Sequence, residues 1–299
     1  MFSRKYFFIG GFFGLVLLLV YIFSLPDGKL HVIFCDVGQG DAIYIREASG
    51  MDMLIDGGPN DKVLSCLGEN MPFYDRTIDV VVLSHPQKDH LQGLISVLER
   101  YNVRYFVIGV EGNKTEGYKK LAEQIRTKRI PYKNLFQGDY FMLGNVRMNV
   151  LWPERRWVAE KLQQPAFAEA MAGKAVLGMA TDANINDFSY YLHLQYGEFD
   201  ALFTGDGDSR IQPEVMTTAG LPDVELLKFP HHGSKTGILP EFLDEIKPEA
   251  AVISSGKNPW GHPTKEALQL LSQRGINILR TDREGDIEVE SDGMSWEVN

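Results

Sequence analysis

The chain has 299 residues, of which 44% are hydrophobic, 23% charged and 11% aromatic, with 29 Gly and 14 Pro. This composition is that of an ordinary globular protein, and it excludes a disordered chain, a low-complexity or collagen-like protein and a membrane protein with many spans. The 40 acidic residues outnumber the 30 basic ones, and the formal net charge of -10 argues against a protein that coats nucleic acid through a general basic surface. The two cysteines, Cys35 and Cys66, are too few for a disulfide framework and are expected to be buried free thiols.

The N-terminal segment departs from this average. An uncharged apolar run covers residues 6–25, directly after Arg4 and Lys5, and about 20 helical residues are enough to cross a bilayer. An uncleaved anchor is favoured over a cleaved signal peptide, because the run is long and residues 23–25 form a poor cleavage site. By the positive-inside rule, the two basic residues predict a single span with a cytoplasmic N-terminus and an extracytoplasmic domain over residues 27–299.

Beyond the anchor, which we assign to residues 1–26, short strands alternate with helices. The apolar run at 78–83 is typical of a strand buried on both faces, and Gly-rich turns separate the first strands. The order favours sheets covered by helices over a helix bundle or a bare sandwich of sheets. The predicted strands are 30–35, 42–46, 53–55, 78–83, 104–109, 140–143, 147–151, 189–196, 201–204, 225–229, 250–254, 276–280 and 287–289, and the predicted helices are 91–100, 119–128 and 264–274.

The stretch at 153–187 lacks this pattern. It is rich in Ala and Gln, contains breaks at Met and Gly, and ends in a polar run at 181–187. Two interpretations fit it equally: a helix with a mobile loop that serves as a lid, or a tolerated surface insertion.

Histidines and aspartates follow several predicted strands. Imidazole together with carboxylate is a ligand mixture that suits Zn or Mn. Because most of the 7 histidines fall just past strands, we expect a metal centre rather than scattered structural histidines. His31 and His193 lie within strand patterns and are expected to be packed or surface residues. The residues that follow strands are His85, Asp89, His90, Asp206, Asp208, His231, His232 and His262.

Six motifs stand in a fixed order: DVGQGDA at 36–42, LIDGG at 54–58, SHPQKDHLQG at 84–93, FTGDGD at 203–208, LKFPHHGSKTG at 227–237 and ISSGKNPWGHP at 253–263. Together they resemble the metallo-β-lactamase fold and, more narrowly, the outward-facing metallo-β-lactamase-like domain of the ComEC proteins of DNA-uptake competence. The similarity runs from about residue 29 to the C-terminus. It implies an α/β (α+β) fold, a four-layer αββα sandwich with a metal site at one edge of the sheets.

Two departures from the family pattern matter. The ComEC-like version of the third motif is commonly HxDxDH, whereas Gln87 stands at its third position here. A neutral amide is a poor ligand for Zn or Mn, so we expect one or two divalent ions, with the site that uses this position weakened. The 299 residues contain no multi-span channel of the kind that accompanies this domain in ComEC, so a separate channel protein is an expected partner.

The resemblance also implies roles for individual residues. His232 is favoured over His231 as the ligand from the HHG turn, although the sequence does not decide between them, and Asp206 would bridge two ions if both bind. Asp36, Asp41 and Asp56 either orient metal-binding histidines or are ordinary turn aspartates. The expected metal ligands are His85, Asp89, His90, Asp206 and His232; the expected catalytic residues are Asp89, His231 and His262; and the expected substrate contacts are Ser234, Lys235 and Asn258.

This chemistry predicts hydrolysis by a metal-activated hydroxide. A divalent ion lowers the pKa of water, Asp89 would orient or deprotonate that water, and His262 would protonate the departing oxygen. We interpret the chain as a membrane-anchored phosphodiesterase or nuclease, with single-stranded DNA or another phosphodiester as substrate, because Lys235 and the metal would stabilise phosphate oxygens.

Two alternatives remain open. The first is a metallohydrolase of another class, acting on a cell-wall phosphoester, a lactone, a thioester or a lactam, and the net charge of -10 favours it. The second is a non-catalytic binding module, which Gln87 alone favours.

Overall fold

The structure, a computed structural model, describes residues 12–16, 20–21, 25–162, 175–179 and 181–299. Within these ranges no helix is both long and apolar enough to cross a membrane. The anchor expected at 6–25 lies largely outside the described residues, and so does the middle of the expected lid or insertion.

Two mixed sheets form the body of the domain. The first has eight strands, among them β1 (Leu30–Phe34), β2 (Ile43–Arg46), β3 (Asp52–Ile55), β4 (Thr77–Leu83), β5 (Asn102–Ile108), β6 (Tyr132–Lys133), β14 (Ile287–Ser291) and β15 (Trp296–Val298). Their order across the sheet is β15-β14-β1-β2-β3-β4-β5-β6. The second sheet is formed by β7 (Tyr140–Leu143), β8 (Val146–Trp152), β9 (Tyr191–Tyr196), β10 (Phe199–Phe203), β11 (Leu226–Lys228), β12 (Ala250–Ile253) and β13 (Asn277–Arg280), in the order β13-β12-β11-β10-β9-β8-β7.

Helices cover the outer faces of both sheets. The larger helices begin where the sequence predicts an amphipathic pattern, and Thr115 and Thr264 cap two of them through their side-chain oxygens. The described helices are α1 (Val63–Asn70), α2 (Lys88–Arg100), α3 (Glu116–Thr127), α4 (Arg155–Leu162), α5 (Gln212–Thr218), α6 (Pro240–Ile246), α7 (Lys265–Ser272) and α8 (Thr281–Glu284), with short 3-10 turns at Ile185–Phe188 and Pro230–Gly233.

Three buried clusters define four layers. One lies between the sheets and joins residues such as Val32 to Leu192. A second packs α1, α2 and α3 on the first sheet, with Leu94 at its centre, and a third packs α5, α6 and α7 on the second sheet around Phe242. The layers are therefore helix, sheet, sheet and helix, and the expected αββα architecture is confirmed.

Parallel strands determine where the site lies. β3, β4 and β5 run parallel in the first sheet, as do β10, β11, β12 and β13 in the second. Neighbouring parallel strands end at the same edge, which is where open α/β sheets place their ligands. The loops after β3, β4, β10 and β11 carry the motif residues, so the topology gathers them at one edge.

A close backbone contact fixes α2 against the loop after β3. Gly57 N donates to His90 O at 2.7 Å, and Gly93 N donates to Gly58 O at 3.0 Å. A side chain at Gly93 would place its Cβ 1.8 Å from Gly57 O, so only glycine permits this approach. The glycines in LIDGG and LQG thus hold the first turn of α2 over the sheet edge.

The predicted strands all occur, with ends shifted by a few residues. His31 and His193 lie within β1 and β9, as expected. Short elements without a clear period were not predicted: α1, α5, α6, α8, β6 and β15. The stretch at 153–187 contains α4 at its start and a 3-10 turn at its end.

The cysteine prediction is wrong. Cys35 and Cys66 are not free thiols but form a disulfide between the end of β1 and α1, with their Cα atoms 5.8 Å apart. The two residues are 31 positions apart in the chain, so their pairing depends on the packing of α1 against the first sheet, which no local pattern reveals.

Candidate metal centre

The candidate site lies where parallel strands of the two sheets end. Asp56 directly follows β3, and His85 lies two residues past β4, with which β3 pairs in parallel. In the second sheet, β10 and β11 form a parallel pair, and His232 lies in the 3-10 turn after β11. The loop after β10 and the first turn of α2 supply the other ligand candidates: Asp206, Asp89 and His90.

Four side chains converge at this edge. Donor atoms of Asp89, His90, Asp206 and His232 all lie within 4.8 Å of one another. Asp206 is central, because its Oδ1 lies 3.4 Å from His90 Nε2 and 3.5 Å from His232 Nε2. Asp89 Oδ2 lies 3.6 Å from His232 Nε2. Four of the five predicted ligands therefore surround one point.

The atoms that face this point lack hydrogen bonds. His90 Nε2, His232 Nε2 and Asp206 Oδ1 are buried, and none has a hydrogen-bond partner among the described residues. Buried polar atoms without partners destabilise a fold, and each such atom in a native structure calls for an explanation. A divalent cation would coordinate all three, and two imidazoles with two carboxylates form a donor set that suits Zn or Mn. The residues therefore fit a metal ion.

A buried carboxylate orients His90. Asp56 Oδ2 accepts a hydrogen bond from His90 Nδ1 at 2.8 Å, which leaves Nε2 of the ring facing the other ligands. Asp56 is itself held by Ser84, whose backbone N and Oγ donate to it at 2.7 and 2.6 Å. A carboxylate behind a ligand histidine fixes the ring and increases its basicity. Asp56 is thus an orienting residue.

Asp41 and Asp36 differ in the same respect. Asp41 is buried, with Oδ1 at 3.4 Å from His232 Nδ1 and Oδ2 at 3.7 Å from His90 Nδ1. It therefore lies behind both ligand histidines. Asp36 is a turn aspartate whose Oδ1 accepts a hydrogen bond from Gly38 N at 3.1 Å.

Lys228, which the sequence reasoning missed, lies beneath the site. Its Nζ forms an ion pair with Asp41, donates to Gly205 O at 3.0 Å and lies 3.9 Å from Asp206 Oδ1. The side chain is almost fully buried at the end of β11. A buried ammonium balances the charge of nearby carboxylates only when it is paired with them, as it is here. A lysine that ends an apolar parallel strand directly before the HHG turn is the signal that could have revealed it.

Opposite charges control the protonation of the cluster. Burial alone would lower the pKa of both ligand histidines, but nearby carboxylates outweigh it. Asp206 and Asp56 raise the pKa of His90 well above its usual value, and Asp206 and Asp41 raise the pKa of His232 to about 9. In turn, although burial opposes it, His232 and His90 hold the pKa of Asp206 well below its usual value. Without metal, imidazolium charges thus take the place of a cation between the carboxylates.

His85 lies beside this group of four. Its ring centroid is 4.2 Å from that of His90, and its Nε2 is buried without a hydrogen-bond partner among the described residues. Burial, with a further contribution from His90, lowers the pKa of His85 to about 3, so the imidazole is neutral and its nitrogen is free to coordinate. His85 therefore faces any second ion from the side opposite His232.

Gln87 occupies the position that is commonly Asp in the ComEC-like motif. Its Nε2 donates to Oδ1 of Asn186, which belongs to the 3-10 turn before β9. The amide is thus tied to a neighbouring loop instead of supplying a carboxylate beside His85.

The backbone at the site is strained. Asp56, His231 and His232 all adopt the left-handed region, with φ of 60°, 52° and 54°. This conformation costs energy in residues other than glycine, and it recurs at functional sites where it directs side chains. In the HHG turn it sends the two histidines in different directions: His232 is buried in the centre, whereas His231 contacts Asp208 through Nδ1 at 3.5 Å.

The remaining predicted residues lie around the mouth of the centre. The rings of His231 and His262 are 5.9 Å apart, and burial lowers the pKa of His262. Asn258 uses its amide within its own loop, donating to Gly256 O and His262 O. Ser234 is buried against Thr236, and Lys235 is exposed. Their roles in catalysis and substrate binding stay predictions.

Relatives cover most of this chain. It is 27% identical over 297 residues to ComE operon protein 3 of Bacillus subtilis (strain 168), a match that covers 93% of this chain and 35% of that protein. Recombination protein 2 of Haemophilus influenzae is 26% identical over 285 residues, covering 93% of this chain and 31% of that protein. The chain therefore spans about a third of the length of the curated relatives it matches. No protein-family profile matches it.

Solved structures share the architecture. CmlA, a diiron β-hydroxylase from Streptomyces venezuelae, has a TM-score of 0.52 at 13% identity, covering 88% of this chain and 54% of CmlA. The metallo-β-lactamase fold protein YhfI of Bacillus subtilis has a TM-score of 0.47 at 15% identity, covering 84% of this chain and 95% of YhfI. The resemblance to the ComEC proteins is confirmed by the curated relatives, and the layered sheets of the structure agree with the expected fold.

Proposed function

We propose that this chain is a metal-dependent hydrolase that cleaves phosphodiester bonds at one divalent ion held by Asp89, His90, Asp206 and His232. The observation that carries the proposal is the convergence of these four donors within 4.8 Å, with the buried nitrogens unpaired. Ordered packing in the rest of the domain leaves such atoms unpaired only where something binds them.

The bound ion would lower the pKa of water and polarise the phosphoryl oxygen. Asp89 is suited to receive the proton from that water, because its side chain is 26% exposed while the other three donors are buried. Its carboxylate therefore faces both the ligand cluster and the solvent-filled groove. The carboxylates of His90 and His232, through their pairing with Asp206, lower the pKa of Asp89's neighbour and keep it ionised.

His262 is placed to meet the leaving group. Its lowered pKa makes the ring neutral at neutral pH, so it can donate one hydrogen bond from its N–H. An approaching phosphate would raise this pKa through its negative charge and favour proton transfer to the departing oxygen. The neighbouring His231 is held by Asp208, which keeps the two rings in contact.

A single ion is favoured by the state of Gln87. A second ion beside His85 would need a carboxylate from this position, but the residue is an amide hydrogen-bonded to Asn186. Gln87→Asp supplies that carboxylate, and we expect it to raise the metal content of the chain from one ion to two. If Gln87→Asp binds no more metal than the wild type, this position does not limit the number of ions.

Phosphodiester specificity is supported by the names of the relatives. ComE operon protein 3 and Recombination protein 2 are named for competence and recombination, and recombination concerns DNA. We therefore propose DNA as the source of the phosphodiester and retain a separate channel protein as a predicted partner.

The reaction class is tested with three substrates. The metal-loaded chain is incubated with single-stranded DNA, with bis-p-nitrophenyl phosphate and with a lactam, and the Asp206→Asn variant is the control for contaminating enzymes. We expect hydrolysis of the two phosphodiesters, and loss of that hydrolysis in the variant. Hydrolysis of the lactam alone would contradict the proposal.

The location that we propose is the outer face of a membrane, with residues 6–25 as the anchor. The disulfide between Cys35 and Cys66 supports it, because disulfides persist in oxidising compartments and are rare in the cytosol. Protease added to intact cells should digest residues 27–299. Protection of this region until the cells are lysed would place it on the cytoplasmic side.

A further inference from the structure

A groove opens beside Asp89. It has a volume of about 840 Å³ and is lined by the DVGQGDA loop, the start of α2 and the GKNPWGHP loop. Asp89, a metal-ligand candidate, and Gln87 belong to its wall, so the groove reaches the metal centre. Nothing in the chemistry of a small ester requires a groove of this length.

The groove carries positive charge in an acidic protein. Lys62, Lys88 and Lys257 line it, whereas Asp89 is its acidic lining residue and would be neutralised by the metal. Lys62 is partly paired with Asp36 at 3.4 Å. Lys88 and Lys257 are exposed, and no acidic side chain of the described residues pairs with them. The chain as a whole has a formal charge of -10, so this is a local site of anion attraction.

A large aromatic side chain stands at the rim. Trp260 is 64% exposed and lines the same groove. Its loop is ordered by Asn258, whose Oδ1 accepts hydrogen bonds from Trp260 N at 3.1 Å and from His262 N at 3.0 Å. The loop is also joined to the DVGQGDA loop, because Gly256 N donates to Gln39 Oε1 at 3.2 Å. The indole is therefore held at a defined place while much of its face is open.

A series of rings connects this indole to the metal centre. Centroids of neighbouring rings are 6.4 Å apart for His232 and His231, 5.9 Å for His231 and His262, and 6.3 Å for His262 and Trp260. Trp260 is thus three ring contacts from a metal-ligand candidate, a separation that a nucleic acid strand covers in a few nucleotides.

We propose that this groove binds single-stranded nucleic acid, with Trp260 stacking on an unpaired base and Lys88 and Lys257 contacting the phosphates beside it. The proposal rests on the proposed phosphodiesterase function and names the part of its substrate that lies outside the reacting bond. Aromatic platforms next to a cationic groove bind single strands in this way, because every base has a face for stacking and every linkage carries a charge. A duplex keeps its bases stacked on one another and offers none to Trp260.

Binding without turnover tests the proposal. The full chain carrying Asp206→Asn is titrated with a fluorescent oligothymidine and with an abasic strand of the same length, which has the phosphates but no bases. In this background we expect Trp260→Ala to weaken oligothymidine binding by about 5- to 100-fold and Trp260→Phe to restore most of it. Trp260→Ala should leave the affinity for the abasic strand unchanged.

The lysines should behave differently. Lys88→Ala and Lys257→Ala should each weaken both strands and reduce the dependence of log affinity on log salt by about 1. Phe73→Ala and Lys128→Ala, which change exposed residues away from the groove, are the matched controls. Equal weakening of both strands by Trp260→Ala, or no effect on either, would overturn the stacking role.

Absence of strand binding in the Asp206→Asn background would overturn the groove as a binding site. That result is distinct from a failure of the hydrolase proposal, which is decided by turnover of bis-p-nitrophenyl phosphate.

Discussion

Two clusters of histidine and carboxylate occur in the described part of this chain, and they have opposite surroundings. In the candidate metal centre, Asp206 lies between His90 and His232, all three are buried, and both ring nitrogens that face it lack hydrogen bonds. The second cluster joins Asp27, His31 and Glu290 near the start of the domain. There His31 contacts Glu288 through Nδ1 at 2.8 Å and Asp27 through Nε2 at 3.1 Å, so both nitrogens are partnered.

The difference shows which features make a metal site. Residue types alone do not distinguish the clusters, since each has imidazole and carboxylate within reach of one ion. What differs is burial and hydrogen bonding: the exposed cluster is already satisfied by its own ion pairs, and exposed pairs contribute little. The buried cluster has donor atoms that only a cation would satisfy.

Removing the central carboxylate should have the largest effect. Asp206→Asn takes away the charge that faces both ligand histidines, so we expect the chain to lose its metal and hydrolysis to fall by about three orders of magnitude. The matched change in the other cluster, Asp27→Asn, should leave metal content and activity as in the wild type. Both quantities are measured by elemental analysis and by turnover of bis-p-nitrophenyl phosphate. Retention of metal by Asp206→Asn would place the ion elsewhere.

Lys228→Met should have the next largest effect. The substitution leaves buried Asp41 without its ammonium partner, and breaking a buried ion pair in this way costs about 3 kcal/mol or more. Lys29 pairs with Glu290 at 2.8 Å on the surface, and Lys29→Met should change stability little. Urea unfolding of the metal-free chains measures both. Equal stability of the two variants would show that Lys228 does not balance the charge of the centre.

Asp56→Asn should weaken the metal site without abolishing it. The amide is a poorer acceptor for His90 Nδ1, and loss of such an orienting carboxylate lowers metal affinity by about 10- to 100-fold. Glu288→Gln makes the corresponding change behind His31 and should not alter metal affinity. Competition with a chelator gives the affinities. An unchanged affinity in Asp56→Asn would mean that packing alone orients His90.

The smallest effect is expected from the pH response of the exposed cluster. The hydrogen bond to Glu288, helped by Asp27 and opposed by burial, raises the pKa of His31 to about 8 from 6.5. The raised pKa means that the protonated ring stabilises the fold: this contribution is complete below pH 6.5 and is lost as the pH rises through about 8. His31→Gln should therefore destabilise the chain by about 1 kcal/mol at pH 6 and by less at pH 9. A difference that does not shrink with rising pH would contradict this assignment.

Much of the metal centre could be predicted because its residues follow strand ends. The apolar run before His85 indicates a buried parallel strand, and parallel strands bring the residues after them to one edge. Asp56, Asp89 and Asp206 stand in motifs whose order matches the ComEC resemblance, so the sequence placed them near the histidines.

Other features depend on packing that the sequence does not display. Lys228 reads as an ordinary surface lysine until β11 is known to lie between two parallel neighbours, which buries its side chain under Asp41. The disulfide depends on α1, a short helix with no strong period. The hydrogen bond between Gln87 and Asn186 joins residues 99 positions apart, so only the fold reveals that Gln87 is already engaged.

Anomalous diffraction from crystals of the full chain, grown with Zn or Mn and measured at the metal's absorption edge, tests the central claim most directly. We expect one strong anomalous peak between Asp89, His90, Asp206 and His232, and no peak of comparable height at Asp27, His31 and Glu290. A peak at the exposed cluster with none at the buried one would contradict the account.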